Sequence, residues 1–140
     1  MNEDVFKRLE IEIKKTYYAY DRYKVQDTFA LLYHANELTP TELGSFVRIT
    51  DKFVKIDNHT DFLIFAFSRE EDVFKASQNL LAKLDKFFND RESAISINSF
   101  DPSNSPRMVV NKLTQTLIEI QKSGYSRVED ERVLGHNLVR

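Results

Sequence analysis

The chain has 140 residues, 41% hydrophobic and 12% aromatic, enough for one domain with a buried core. Twenty basic against 22 acidic side chains give a net charge of -2, which excludes the strong basic field that non-specific nucleic-acid binding requires. With no cysteine there are no disulfides, thiolate metal sites or thiol nucleophiles, and the composition fits a reducing, cytoplasmic setting; the start MNEDVFKR has no signal-peptide core, and no apolar window is long enough to suggest a membrane span.

Residues 3 to 23 place Phe6, Leu9, Ile13, Tyr17 and Tyr20 at spacings of three and four, which predicts an amphipathic helix. Thr28 to His34 is a short apolar run between polar residues and reads as a strand buried on both faces. Thr39-Pro40-Thr41-Glu42 follows with the chemistry of a capping box and proline in the first turn, opening a short helix that buries Leu43, Phe46 and Val47 and ends near Thr50. Lys52 to Asp57 partly alternates, as an edge strand does, whereas Phe62 to Phe67 is apolar throughout, as a central strand is. Ser68-Arg69-Glu70-Glu71 looks like a second capping box. It precedes a helix with Val73, Ser77, Leu80, Leu84 and Phe87 in one stripe. Ala94 to Phe100 alternates around Ile95 and Ile97 and is expected at a sheet edge. Asp101 to Ser105 is a loop, and a last helix runs from Pro106 over Val109, Val110, Leu113, Leu117 and Ile120 to a left-handed stop at Gly124.

Helix, then strand-helix-strand-strand-helix-strand, then helix is the order of an α+β protein with a ferredoxin-like βαββαβ core and an extra N-terminal helix. Its antiparallel sheet is expected in the order 4-1-3-2. The added helices cover the second sheet face, which explains strands that are apolar on both sides. One domain over 1–140 is expected, its core about 3–128, with 129–140 a loosely held charged tail.

Candidate sites are few. Asp57, His59 and Asp61 alternate around the turn of the hairpin, with Glu37 or His34 near in space if the strands pair as expected, but no metal-ligand set is complete; Asp57, Asn58 and Thr60 are also ordinary turn formers. Tyr17, Tyr18, Tyr20 and Tyr23, with Arg22 and Lys24, suit helix packing, a self-association surface if Tyr18 is exposed, or the stacking of a base. His136 has no carboxylate or hydroxyl partner at a defined spacing and reads as solvated. Three glycines in the whole chain leave little room for a phosphate-cradling loop.

The order and spacing of several segments carry a family resemblance. SAISINSFDP is similar to a strand usually written VTVSIGIA, LIEIQKSGYSRVE to a closing LYRAKxxGRNRV, Phe6-Lys7-Arg8-Leu9 to the start of a first helix, and FALLYHANEL to a first strand. Together they resemble the GGDEF domain of the bacterial diguanylate cyclases, which join two GTP molecules into cyclic di-GMP. The resemblance covers most of the chain. It aligns Asn58-His59-Thr60-Asp61-Phe62 with the signature turn Gly-Gly-Asp/Glu-Glu-Phe.

The departures fall on the working positions. Ala35 stands where the family's first magnesium aspartate belongs, with His34 or Asn36 one residue away and Glu37 at the second acidic position. Thr60 replaces the second metal carboxylate, and Asn58 and His59 replace the phosphate-side glycines. The connection between the first two strands, which in the family carries the guanine-reading residues, is shortened. Arg48-Ile49-Thr50-Asp51 matches the family's RxxD product-binding pattern, one residue further from the turn.

The resemblance therefore implies a catalytically inactive GGDEF-like domain serving as a regulatory or protein-interaction module. It has no cofactor, no catalytic residue and no nucleic-acid or membrane partner, and its expected partner is a protein or a second copy. The alternatives are a cyclic di-GMP or nucleotide receptor acting through Arg48 and Asp51, and a metal-dependent nucleotidyl cyclase of altered specificity using Glu37, Asp57, His59 or Asp61.

Overall fold

The computed structural model describes residues 1–124 and 126–138. Its elements in chain order are α1 (Glu3–Tyr23), β1 (Thr28–Tyr33), α2 (Pro40–Phe46), β2 (Lys52–Asp57), β3 (Thr60–Phe65), α3 (Glu70–Phe88), β4 (Ala94–Ile97), α4 (Pro106–Ser123), β5 (Val128–Asp130) and α5 (Arg132–Leu138). The expected α+β class and ferredoxin-like core are present. The sheet runs β2-β3-β1-β4-β5, so the first four strands keep the order 4-1-3-2 with a fifth strand beyond β4.

Alternation along β1 and β3 divides the core in two. Phe29, Leu31, Phe62 and Ile64 face α1 and α4, where Phe6, Leu9, Ile13, Val109 and Leu113 meet them. Ala30, Leu32, Leu63 and Phe65 point the other way, into a cluster with Leu43 of α2 and Val73, Leu80 and Leu84 of α3. This is the reason both central strands read as unbroken apolar runs.

Local chemistry sets the helix ends. Asn2 Oδ1 accepts from the Val5 N–H at 2.8 Å, and Lys24 closes α1 in the left-handed conformation. The Thr39–Glu42 capping box forms in full. Ser105 caps α4, and Gly124 ends it at φ 70°.

Four expectations need correction. α2 ends at Phe46, because Val47 is already extended and the chain must turn to enter β2. The second capping box does not form: Arg69 is the N-cap of α3 without a side-chain bond, and the Ser68 hydroxyl is engaged with Ala66 and Arg48 instead. β4 is not an edge strand. β5 pairs with it in parallel, Ile95 opposite Val128 and Ile97 opposite Asp130, so the sheet is mixed and not wholly antiparallel. The residues after Val128 are therefore not a loose tail as far as they are described. Arg127 ties their start to α3 through a two-pronged bond to Asp85 at 2.8 Å for each prong, and α5 follows directly. The side chain of His136 lies outside the described residues.

Among the described residues no helix is long and apolar enough to cross a membrane.

Candidate functional site

The hairpin of β2 and β3 closes through Asn58 and His59, whose backbone is fixed locally. Asp57 Oδ1 accepts from the His59 N–H at 2.8 Å, an arrangement typical of an aspartate at a tight turn. The turn is also tied to the end of β1. The His34 N–H donates to the His59 carbonyl at 2.9 Å, and His59 Nδ1 stands 3.1 Å from the His34 carbonyl, which it meets as a donor.

Beneath this turn lies a buried pair. β1 and β3 register Leu32 against Asp61, so His34 and Asp61 emerge on the same sheet face, toward α3. His34 Nε2 lies 2.9 Å from Asp61 Oδ2, with side chains 0% and 3% exposed. His34 Nδ1 lies 2.8 Å from the Asn36 carbonyl, and the ring stacks on Phe88 at 6.3 Å. Both ring nitrogens thus face acceptor oxygens. The ring is therefore bonded on both sides, to the Asp61 carboxyl and to the Asn36 carbonyl.

This geometry decides the fate of the expected metal ligands. Asp61 is spent on His34, Asp57 on the His59 amide, and His59 Nδ1 on the His34 carbonyl. Glu37 is exposed, and Ala35 and Thr60 offer no carboxylate. A hard divalent ion with a bound triphosphate needs several free carboxylate oxygens. The residues at this turn do not fit the magnesium of the diguanylate cyclases, and no catalytic step can be built through it.

Among the described residues, the His, Asp and Glu ligand atoms that gather in a group of three or more, within 4.8 Å of one another, are those of Glu70, Asp130 and Glu131. They lie where α3 begins and β5 ends, away from the hairpin. Ser99 donates through its hydroxyl to Glu70 Oε1 at 3.1 Å and through its N–H to both Glu131 oxygens at 3.1 Å. Arg132 Nε meets both Asp130 oxygens at 3.0 and 2.8 Å.

Burial, then the adjoining Asp130 carboxylate, pushes the Glu70 carboxyl up to about 7. Burial pushes Asp130 up as well, but the Arg132 guanidinium and the Glu70 carboxyl outweigh it and hold Asp130 below the ordinary range. Arg132 already neutralises Asp130, and Glu131 is held by the Ser99 N–H. Little in the sequence marks the cluster, since Glu70 reads as part of a cap and Asp130 as part of a tail.

The Arg48–Asp51 motif is closed upon itself. Arg48 Nε and Nη2 donate to the two Asp51 oxygens at 3.0 and 2.8 Å, and Nη2 also reaches the Ala66 carbonyl and Ser68 Oγ, each at 2.8 Å. Asp51 accepts in addition from the N–H groups of Arg48 at 3.2 Å and Ala66 at 3.0 Å. Its partnership with Asp51 raises Arg48 above its ordinary range. The cleft beside the pair, bounded by Phe46, Asn79 and Lys83, encloses about 190 Å³.

The tyrosines of α1 divide by role. Tyr17 packs edge-on to Phe29 and Phe100, and its hydroxyl donates to the Asp101 carbonyl at 3.2 Å. Tyr20 packs on Phe100 at 4.9 Å. Tyr18 and Tyr23 are 59% and 67% exposed, with Arg22 over both rings.

No family model and no curated protein matches this sequence. Among solved structures, the chain is similar to the GGDEF domain of DgcB from Caulobacter crescentus, a structure solved in complex with c-di-GMP. The two agree with a TM-score of 0.68 over 90% of each chain at 10% sequence identity. The fold is that of a GGDEF domain.

Proposed function

We propose that this chain is a catalytically inactive GGDEF-like module that acts in signalling by binding another protein, a second copy of itself being the first candidate. One observation carries the loss of catalysis: the carboxylate at the fourth position of the signature turn, Asp61, is buried and bonded to His34, beside Thr60 and Ala35 at the positions where metal carboxylates belong. Two-metal displacement has no free acidic pair to work with here. The partner surface is argued from α1, where Ile11 and Tyr18, two turns apart on one helix face, and Tyr23 are all more than half exposed.

The test is incubation with GTP and either magnesium or manganese, followed by chromatography for pyrophosphate and cyclic di-GMP. The expected result is no product above a protein-free control. Product formation that disappears in Asp61→Ala would instead support a metal-dependent cyclase of altered specificity. The receptor reading through Arg48 and Asp51 has less support, since every oxygen of Asp51 is engaged internally and the adjoining cleft of about 190 Å³ is below the size of typical ligand pockets.

A further inference from the structure

The turn after β3 holds an aromatic residue in a costly position. Phe67 adopts φ 54°, the left-handed region that bulky side chains avoid, and its ring is 71% exposed. The surroundings enforce this. The Phe67 N–H donates to Asp27 Oδ1 at 2.9 Å, the Ser68 N–H to the Gln26 carbonyl at 3.1 Å, and Thr28 Oγ1 to the Ser68 carbonyl at 2.8 Å. The strain is compensated by neither burial nor a cap, since the ring stands in solvent and α3 begins without a side-chain cap.

Phe67 borders an open cleft of about 440 Å³ between this turn and the end of α1, with Tyr20, Lys24, Gln26 and Arg69 on its walls. The volume falls within the range of small-molecule sites. Lys24 lies over the Tyr20 ring at 5.7 Å, and neither Lys24 nor Arg69 enters an ion pair among the described residues. The acids at the start of α3 are directed elsewhere: Glu70 and Glu71 line a separate cleft with Phe74 and Arg132. A free aromatic face beside two uncommitted cations is complementary to a ligand that carries both a planar ring and negative charge.

We propose that this cleft binds a nucleotide, with the base stacked on Phe67 and the phosphate drawn to Lys24 and Arg69. Stacking on an aromatic ring tolerates any base, so the site selects for ring and charge more than for base identity. A compact ligand suits the short cleft better than a peptide, which would need a longer groove. The proposal is independent of the lost metal turn and of any protein partner, and it stands or falls separately from them.

The test is titration of the full chain, labelled with nitrogen-15, with AMP, GMP and inorganic phosphate, following amide shifts. Saturable shifts around Lys24, Phe67 and Arg69 are expected with both nucleotides, and weaker ones with phosphate. Phe67→Ala should weaken nucleotide binding about tenfold while leaving the phosphate response little changed, the loss of one stacked ring. Lys24→Ala and Arg69→Ala should weaken both.

Thermal melting of Phe67→Gly supplies a second readout. Glycine accepts the positive φ and little burial is lost, so the midpoint should hold or rise by a few degrees. No saturable shift at roughly 10 mM nucleotide, a concentration that reveals even weak sites, would overturn the proposal. So would a fall of several degrees in Phe67→Gly, which would make the ring a structural element.

Discussion

At the residue scale the defining feature is His34 and Asp61, a hydrogen-bonded pair with almost no access to water. Burying polar groups is compensated only when their hydrogen-bond partners are present, and here each His34 nitrogen has one. Removing either member leaves the other buried without its partner. His34→Ala should therefore cost about 2–3 kcal/mol in urea unfolding, several times the loss expected from an exposed residue such as Glu37→Ala.

Glu70 makes a second prediction, on pH. Its carboxyl is raised from an ordinary 4.5 to about 7 in the folded chain, so the unfolded chain releases that proton first. The stabilisation is complete below pH 4.5, declines as pH rises through the window to 7, and is gone above it. Asp130 works in the opposite sense, since its depressed carboxyl contributes above the ordinary range and loses its contribution in acid. Glu70→Gln should keep a neutral hydrogen-bonding group and flatten the decline between pH 4.5 and 7 in melting curves; an unchanged slope would mean that another group is responsible.

At the element scale, the Arg48–Asp51 clasp joins the approach to β2 to the end of β3 through Ala66 and Ser68. It is a fixed part of the frame. Asp51→Ala should cost about 1–3 kcal/mol, because it strands the Arg48 and Ala66 N–H groups, and the loss should appear in denaturant unfolding without any ligand present. A fully stable Asp51→Ala protein would return the motif to the list of open binding sites.

Elements whose signal is local were legible in the sequence. α1 was bounded by its apolar spacing, and β1 and β3 were placed by runs that only a strand covered on both faces produces; β3, expected over 62–67, instead runs Thr60–Phe65, because Asp61 still pairs with β1 and Phe67 already turns at φ 54°. β5 was not legible, because three residues gain strand geometry only from pairing with β4, and one valine between polar neighbours carries no period. The same holds at the site. His34 and Asp61 each stand at the end of an apolar run, and their contact depends on a register that only the folded sheet supplies. The conformation of Phe67 is set by Asp27, Gln26 and Thr28, distant along the chain, so no local rule could find it.

At the scale of the whole molecule, a GGDEF-type frame persists at 10% identity to a structure solved with c-di-GMP. Layering explains that persistence: two helix pairs bury the two faces of one sheet, and apolar pattern alone sustains this while the polar turn is free to change. What the frame then offers a partner is surface. Sedimentation velocity over a range of concentrations should show reversible self-association, weakened by Tyr18→Ser combined with Ile11→Ser; a strictly monomeric profile at high concentration would shift the proposal to a different protein partner.

We propose that the hairpin turn holds neither a metal nor a triphosphate, because Asp61 serves His34. Manganese tests this directly, since a bound paramagnetic ion broadens nearby amide signals. With manganese and a non-hydrolysable GTP analogue, the amides of residues 58–61 and of His34 should broaden no more than other exposed amides. Selective broadening there, abolished by Asp61→Asn, would contradict the account.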